Sequence, residues 1–325
     1  MLDSGRSLLE RRLIIVTGKG GTGKTTVAAT LAVASARAGQ RVLVVEVGRD
    51  EQIPRLFAKN PKPVGYAGRR VAPGITAMRI DPFEALSEYL GLQIRVQSVV
   101  DLVLNNAAFR QLMSATPGWR ELITLGKIWH LERMRDGRGR PRYDLIVVDA
   151  PATGHGVTFL DAPRVVVSAV RAGPLRRQAF EVETLIEDPE RCVLLPVALA
   201  EELPARETAE LVERLTGEVG VAVERVIVNA VVAEPFSEQL ADLDDRLSRL
   251  AASGGSVHPE LPASSTLALC ASYLKSRSAL NRHYVDVIGR LTGLPLTLLP
   301  QLTNGVRTSA DLETLSSAFF RGADA

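Results

Sequence analysis

Cysteine, methionine and lysine are all scarce in this 325-residue chain. The two cysteines, Cys192 and Cys270, lack C-x-x-C spacing and have no cysteine or histidine cluster nearby. That excludes a disulfide framework or a structural zinc and predicts two buried free thiols. No run approaches the roughly eighteen uninterrupted apolar residues that a membrane span needs. The first twelve residues, Met1 to Arg12, have no apolar stretch ahead of their arginines, unlike a signal peptide. A soluble, cytoplasmic protein is therefore expected. An excess of one charge sign is missing too. The net charge is only +2, so no global basic field points to nucleic acid.

The chain is long enough to bury a large core as one large domain or two ordinary ones. Its short apolar runs alternate with longer helical stretches, the signature of an α/β fold with a mostly parallel sheet covered on both faces. The predicted strands are Leu13–Val16, Val42–Val47, Ile75–Ile80, Leu145–Val148, Val165–Ala169, Val193–Ala198, Val226–Val231 and Leu294–Leu299. Residues 82–135 carry helical periodicity and no strong strand, and read as an inserted helical subdomain. Thr116-Pro117-Gly118 divides that insert in two. The segment Asp136 to Arg142 reads as a basic, glycine-rich surface hinge. A loop from Ala252 to Ser265 bounds the final helix–strand unit.

Against only six lysines in all, two fall within one nonapeptide, Gly18-Lys19-Gly20-Gly21-Thr22-Gly23-Lys24-Thr25-Thr26. It follows a strand and opens a helix, the context that makes G-x-x-x-x-G-K-[ST] a phosphate-binding loop. Its glycines let backbone N–H groups converge on phosphate oxygens, and the helix N-terminus adds its positive dipole end. Gly20, Gly21, Thr22, Gly23, Lys24, Thr25 and Thr26 are thus the expected nucleotide-binding residues. Lys24 is expected to reach the β- and γ-phosphates, and the Thr25 hydroxyl to ligate Mg²⁺. Lys19 is surplus to that task and is free to serve a different phosphate. The run Tyr143 to Asp149 is an apolar strand ending in a carboxylate, so Asp149 is the second expected Mg²⁺ ligand.

The nonapeptide resembles the deviant Walker A loop shared by MinD, ParA, nitrogenase iron protein and the arsenite-pump ATPase ArsA. In that superfamily the early lysine reaches across a dimer interface to the partner's nucleotide. The resemblance extends through Ile80-Asp81-Pro82, Asp149-Ala150-Pro151-Ala152-Thr153-Gly154-His155 with Pro163, and Glu201-Glu202 with Glu207-Thr208. It narrows to the ArsA and guided-entry ATPases and covers nearly the whole chain. It implies a 1–12 extension followed by one P-loop ATPase domain over 13–325. It also implies Mg²⁺-dependent ATP hydrolysis, with Lys19, Lys24 and Asp149 catalytic. Asn229 would bind adenine, and Pro300 would pack on the adenine face. The implied assembly is a homodimer, or a heterodimer with a paralogous ATPase, acting on an unknown protein client. A peripheral link to a membrane stays compatible.

Three departures qualify this. The family's switch I aspartate, which orients the attacking water, is replaced by Gly48 in Val42 to Asp50. Asp50, Glu51 or Glu46 can substitute, and spacing selects none of them. Two distant cysteines cannot supply the convergent thiolates that As(III) needs, so arsenite transport is disfavoured. The methionine-rich insert of tail-anchor carriers is shortened between Pro163 and Cys192. The alternatives are a weakly active subunit paired with a paralogue and a MinD- or ParA-like positioning ATPase. The segment Leu312 to Arg321 is too short and too neutral for MinD's basic membrane helix.

Overall fold

The Val- and Ile-rich runs become the inner strands of one eight-stranded sheet, ordered β3-β4-β2-β5-β1-β6-β7-β8. The computed structural model describes residues 8–320 apart from 49, 95, 116–117, 237–239 and 259–260; for 97, 112, 114–115 and 153–155 it describes the backbone alone. The strands are β1 (Leu13–Gly18), β2 (Val42–Glu46), β3 (Arg69–Ala72), β4 (Ile75–Arg79), β5 (Leu145–Asp149), β6 (Cys192–Leu199), β7 (Val226–Val231) and β8 (Leu296–Pro300). All neighbours pair in parallel except β3, which runs antiparallel to β4. Side chains of a strand alternate between faces. Ile14 and Val16 accordingly join α1 (Lys24–Arg37) and α12 (Ser309–Ser316), while Leu13 and Ile15 join the core on the other face. That second core receives α6 (Trp119–Arg133), α7 (Thr153–Ala169), α8 (Pro174–Glu187) and α9 (Glu202–Arg214). The mostly parallel α/β sandwich inferred from the sequence is the fold observed.

Several expectations need correction. Val165–Ala169 is not a strand but the last part of α7, which runs through Pro163. Its β-branched run favours a strand locally, yet Val166 and Val167 pack on Leu122, Ala162 and Ala179 between neighbouring helices. Tertiary packing overrides the propensity. The edge strand β3 has no apolar run to announce it, because Arg69 and Arg70 are exposed, a charged edge that discourages strand addition. The 82–135 insert holds four helices, α3 (Pro82–Ile94), α4 (Gln97–Asn105), α5 (Ala107–Ala115) and α6, and the expected break at 116–118 falls between the last two. Of its expected breaker, Thr116 and Pro117 lie outside the described residues, and Gly118 caps α6 at φ 79°. The Asp136 segment is an exposed surface turn held by its own backbone contacts. Asp136 accepts hydrogen bonds from the backbone N–H groups of Arg138 and Arg140, and Arg135 bridges Pro141. Only Cys192 is a buried thiol; Cys270 is exposed on α11 (Ser264–Thr292).

Candidate nucleotide site

Every residue of the expected phosphate site sits at the carboxyl ends of β1, β2, β5 and β7, where parallel α/β sheets bind ligands. The loop between β1 and α1 has no room for ordinary side chains at its two ends. A Cβ on Gly18 would lie 2.5 Å from the Val197 carbonyl oxygen, and one on Gly23 would lie 2.2 Å from Asn229 Nδ2. Gly23 caps α1 in the left-handed region at φ 89° with no side-chain hydrogen bond. The first-turn N–H groups of α1 therefore have no side chain to satisfy them, which leaves them available to an anion. Thr22 is buried, and its hydroxyl donates to the Lys19 carbonyl at 3.0 Å. It shapes the loop from inside.

Lys24 Nζ donates to the same Lys19 carbonyl at 3.1 Å, so the lysine folds back over its own loop. Burial lowers its pKa despite the pull of Asp149. Thr25 Oγ1 donates to Asp149 Oδ2 at 2.6 Å. The other carboxylate oxygen, Asp149 Oδ1, is sealed from solvent and has no hydrogen-bond partner among the described residues. Burial raises the Asp149 pKa, and Thr25 and Lys24 oppose that rise. A hydroxyl and an unsatisfied carboxylate oxygen side by side suit Mg²⁺, a hard cation that takes one or two protein oxygens alongside phosphate and water. The donor set fits the metal that the sequence implies, which Thr25 and Asp149 would hold.

Beside these two residues is a polar cavity of about 180 Å³, lined by Thr25, Glu46, Val47, Gly48, Asp50, Gln52 and Asp149. Glu46 ends β2 directly opposite Asp149 in the strand register. Its Oε1 accepts two hydrogen bonds from α2 (Ile53–Phe57) and its cap, 2.6 Å from Gln52 N–H and 2.9 Å from Ile53 N–H. Its Oε2 is buried and unpartnered among the described residues. Burial pushes its pKa up to about 7, against those two backbone hydrogen bonds.

Asn229, near the end of β7, donates from Nδ2 to the Thr22 carbonyl at 2.9 Å. It braces the β1–α1 loop, and that bond uses one of the two N–H donors of its amide. The next residue, Ala230, has φ 54°, alone among the described non-glycine residues in being positive. The pairing of β7 with β8 slips between Val228 and Val231, and Val231 lies opposite Pro300. Pro300 is exposed at the strand end, on the same edge of the sheet as Asn229. Ala230→Gly is expected to stabilise the fold by about 1 kcal/mol, since glycine adopts this conformation without strain. Urea denaturation checks it.

Lys19 is not drawn into its own phosphate loop. It is more than half exposed, and its Nζ forms an ion pair with Glu207 Oε1 on α9 at 2.6 Å. Glu207 was visible in the sequence only as part of a family-like segment; nothing there predicted its contact with Lys19. The side chains of Thr153 and His155, in the family-like segment that follows β5, lie outside the described residues.

A glycine-framed phosphate loop, its lysine, and a Thr–Asp pair at the strand ends of a mostly parallel sheet define a P-loop nucleoside-triphosphatase-like α/β protein. The family model for anion-transporting ATPases of the ArsA type matches residues 11–173, and the chain belongs to that family. The ATPase BagA of Mycobacterium tuberculosis is 36% identical over 223 residues, 67% of this chain and 64% of that protein. Arsenical pump-driving ATPases of Acidiphilium multivorum and Escherichia coli are 28% and 27% identical over 69% and 70% of this chain. The chain spans under two thirds of the mycobacterial relative and 40% of each of these two pumps. No described helix is long and apolar enough to cross a membrane.

Proposed function

We propose that this protein is a Mg²⁺-dependent ATPase that works as a nucleotide-driven switch between paired subunits. The observation that carries the reading is the convergence of Lys24, Thr25 and the unsatisfied Asp149 oxygen under an uncapped helix N-terminus. In this reading the loop N–H groups and Lys24 grip the β- and γ-phosphates, and Thr25 and Asp149 hold the metal, which neutralises phosphate charge when bound. Asn229 and Pro300 address the adenine. Lys19 supports the paired state, because this second exposed cation stays outside its own phosphate loop. Its contact with Glu207 is solvent-exposed and contributes little on its own, so a partner's phosphate can displace it.

Conformational output would pass from Asp149 into α7, which packs on α6 of the helical insert. Exposed Phe83, Leu92, Val99 and Leu102 on that insert make it the surface offered to a protein client. Metalloid transport has no support in the thiols, since Cys192 is buried in β6 and Cys270 is exposed on α11. Gly48 in switch I favours a second reading, a slow subunit that depends on a paralogue.

Lys19→Ala tests the paired switch. ATP affinity is expected to stay within about 3-fold, while hydrolysis falls by roughly 10³-fold and ATP-induced dimerisation is lost. Unchanged turnover and unchanged sedimentation with ATP would refute a role in trans. Strong stimulation by a co-purifying paralogue would favour the heteromer.

A further inference from the structure

The family-like acid is missing at Gly48, and sequence spacing could not choose among Asp50, Glu51 and Glu46. The three carboxylates have very different surroundings. Glu51 is consumed structurally: its two oxygens accept from Val64 N–H at 2.7 Å and Gly65 N–H at 2.8 Å, and Arg79 lies 3.6 Å away. Asp50 is exposed at the cavity mouth, where solvent competes for its oxygens. Glu46 differs from both. One oxygen is clamped by two backbone N–H groups, which fixes the carboxylate plane. The other oxygen is buried without a partner, and the residue lines the cavity that also holds Thr25 and Asp149.

A buried acceptor with no partner costs stability, by roughly 1–3 kcal/mol for an ordinary polar group. Such a group is explained when a ligand or water completes it. Here the cavity is large enough for several waters and has polar walls. It adjoins the Thr25–Asp149 pair, where the γ-phosphate end of a bound nucleotide would lie.

We propose that Glu46 holds and orients the water that attacks the γ-phosphate, in place of the acid that Gly48 removes; this rests on the ATPase reading above. In that step the water oxygen bonds to the γ-phosphorus as the bond from phosphorus to the bridging oxygen breaks. The electron pair stays on ADP, and the water's proton leaves on the released phosphate. Glu46 contributes a fixed hydrogen-bond acceptor, and phosphoryl transfer depends mostly on such positioning. Glycine at position 48 fits the same picture. It leaves the space beside Val47 open, so the acceptor can come from the strand end itself rather than from the loop.

Glu46→Gln is the discriminating variant because the backbone decides its orientation. The N–H groups of Gln52 and Ile53 demand the amide oxygen, so the new –NH₂ faces the cavity and a donor replaces the acceptor. The fold's own hydrogen bonds are kept and a buried charge is removed. The variant is therefore expected to melt no lower than the parent at pH 8. Any stability advantage should shrink as pH falls from about 7 towards the ordinary carboxylate range, where the parent's Glu46 is neutral as well. Expected results for the full chain at saturating Mg²⁺ are ATP affinity within about 3-fold and single-turnover hydrolysis reduced about 100-fold. Affinity for ADP·AlF₄⁻, which mimics the transition state, should fall in parallel while ADP affinity does not.

Parental hydrolysis and parental ADP·AlF₄⁻ affinity in Glu46→Gln would overturn the assignment. So would rescue of the variant by raised Mg²⁺, which would make Glu46 part of the metal's shell. A larger loss in Asp50→Asn would move the role to Asp50, and a parent that binds ATP without turning it over would also sink it. Failure of the parent to bind ATP would instead remove the ATPase reading on which it stands.

Discussion

Lys24→Ala lowers ATP affinity by about 100-fold or more, with the loss larger for ATP than for ADP. The argument starts from the site's charge. Lys24 is the cation placed over the loop, with Nζ on the Lys19 carbonyl, and its burial depresses its pKa. A phosphate supplies charge compensation that the carbonyl cannot, so the ammonium gains most from a ligand bearing both β- and γ-phosphates. Hydrogen bonds between charged groups contribute roughly 1.5–3 kcal/mol each, and two of them correspond to about 10²–10⁴ in affinity. The fold should not suffer, because alanine is a strong helix former at the first position of α1 and only one side-chain hydrogen bond is lost. Titration with a fluorescent ATP analogue, together with a melting curve, separates the two effects. An unchanged dissociation constant would remove the phosphate-loop assignment, and unfolding would show up as a lowered midpoint instead.

What the sequence made legible follows from how local each signal was. Buried parallel strands need apolar residues on both faces, so Leu13–Val16, Val42–Val47 and Leu145–Val148 stood out, and all three are central strands. The strand–loop–helix setting of the glycine-rich segment was equally readable, because its glycines and lysines lie in one short stretch between β1 and α1. Signals that depend on contacts across the chain were not readable. Val165–Ala169 has strand-like composition, and only its packing between helices makes it helical. The edge strand β3 is held by pairing with β4, not by hydrophobic pattern. Within the site, Lys19 and Glu207 are 188 residues apart, and nothing in either segment announces the other. Glu46 was one of three equal candidates until the N–H groups of Gln52 and Ile53 showed how its carboxylate is held.

Asp149→Asn has the other large expected effect, and its two consequences have opposite signs. Asp149 sits with one oxygen 2.6 Å from the Thr25 hydroxyl and the other buried without a partner. In the absence of Mg²⁺ that arrangement is costly, since burial of the carboxylate already raises its pKa. Asparagine keeps an oxygen to accept from Thr25 and carries no charge. The metal-free variant should therefore melt at the same temperature as the parent or higher. Its catalysis should collapse. Losing the anionic ligand weakens metal binding and mispositions the phosphates, and a reduction of hydrolysis by about 10³-fold is expected. Added Mg²⁺ should raise the parent's melting temperature in the presence of ATP far more than the variant's, because a ligand stabilises only the state that binds it. Thermal melts with and without Mg²⁺ and ATP, run beside phosphate-release assays, test both halves. A variant that melted lower without metal would mean that Asp149 is chiefly a structural partner of Thr25. A variant that kept parental turnover would place the metal elsewhere. On the proposed metal-binding reading a stable but inactive protein is the expected outcome, because the half-satisfied carboxylate costs the metal-free fold and a bound cation would complete it.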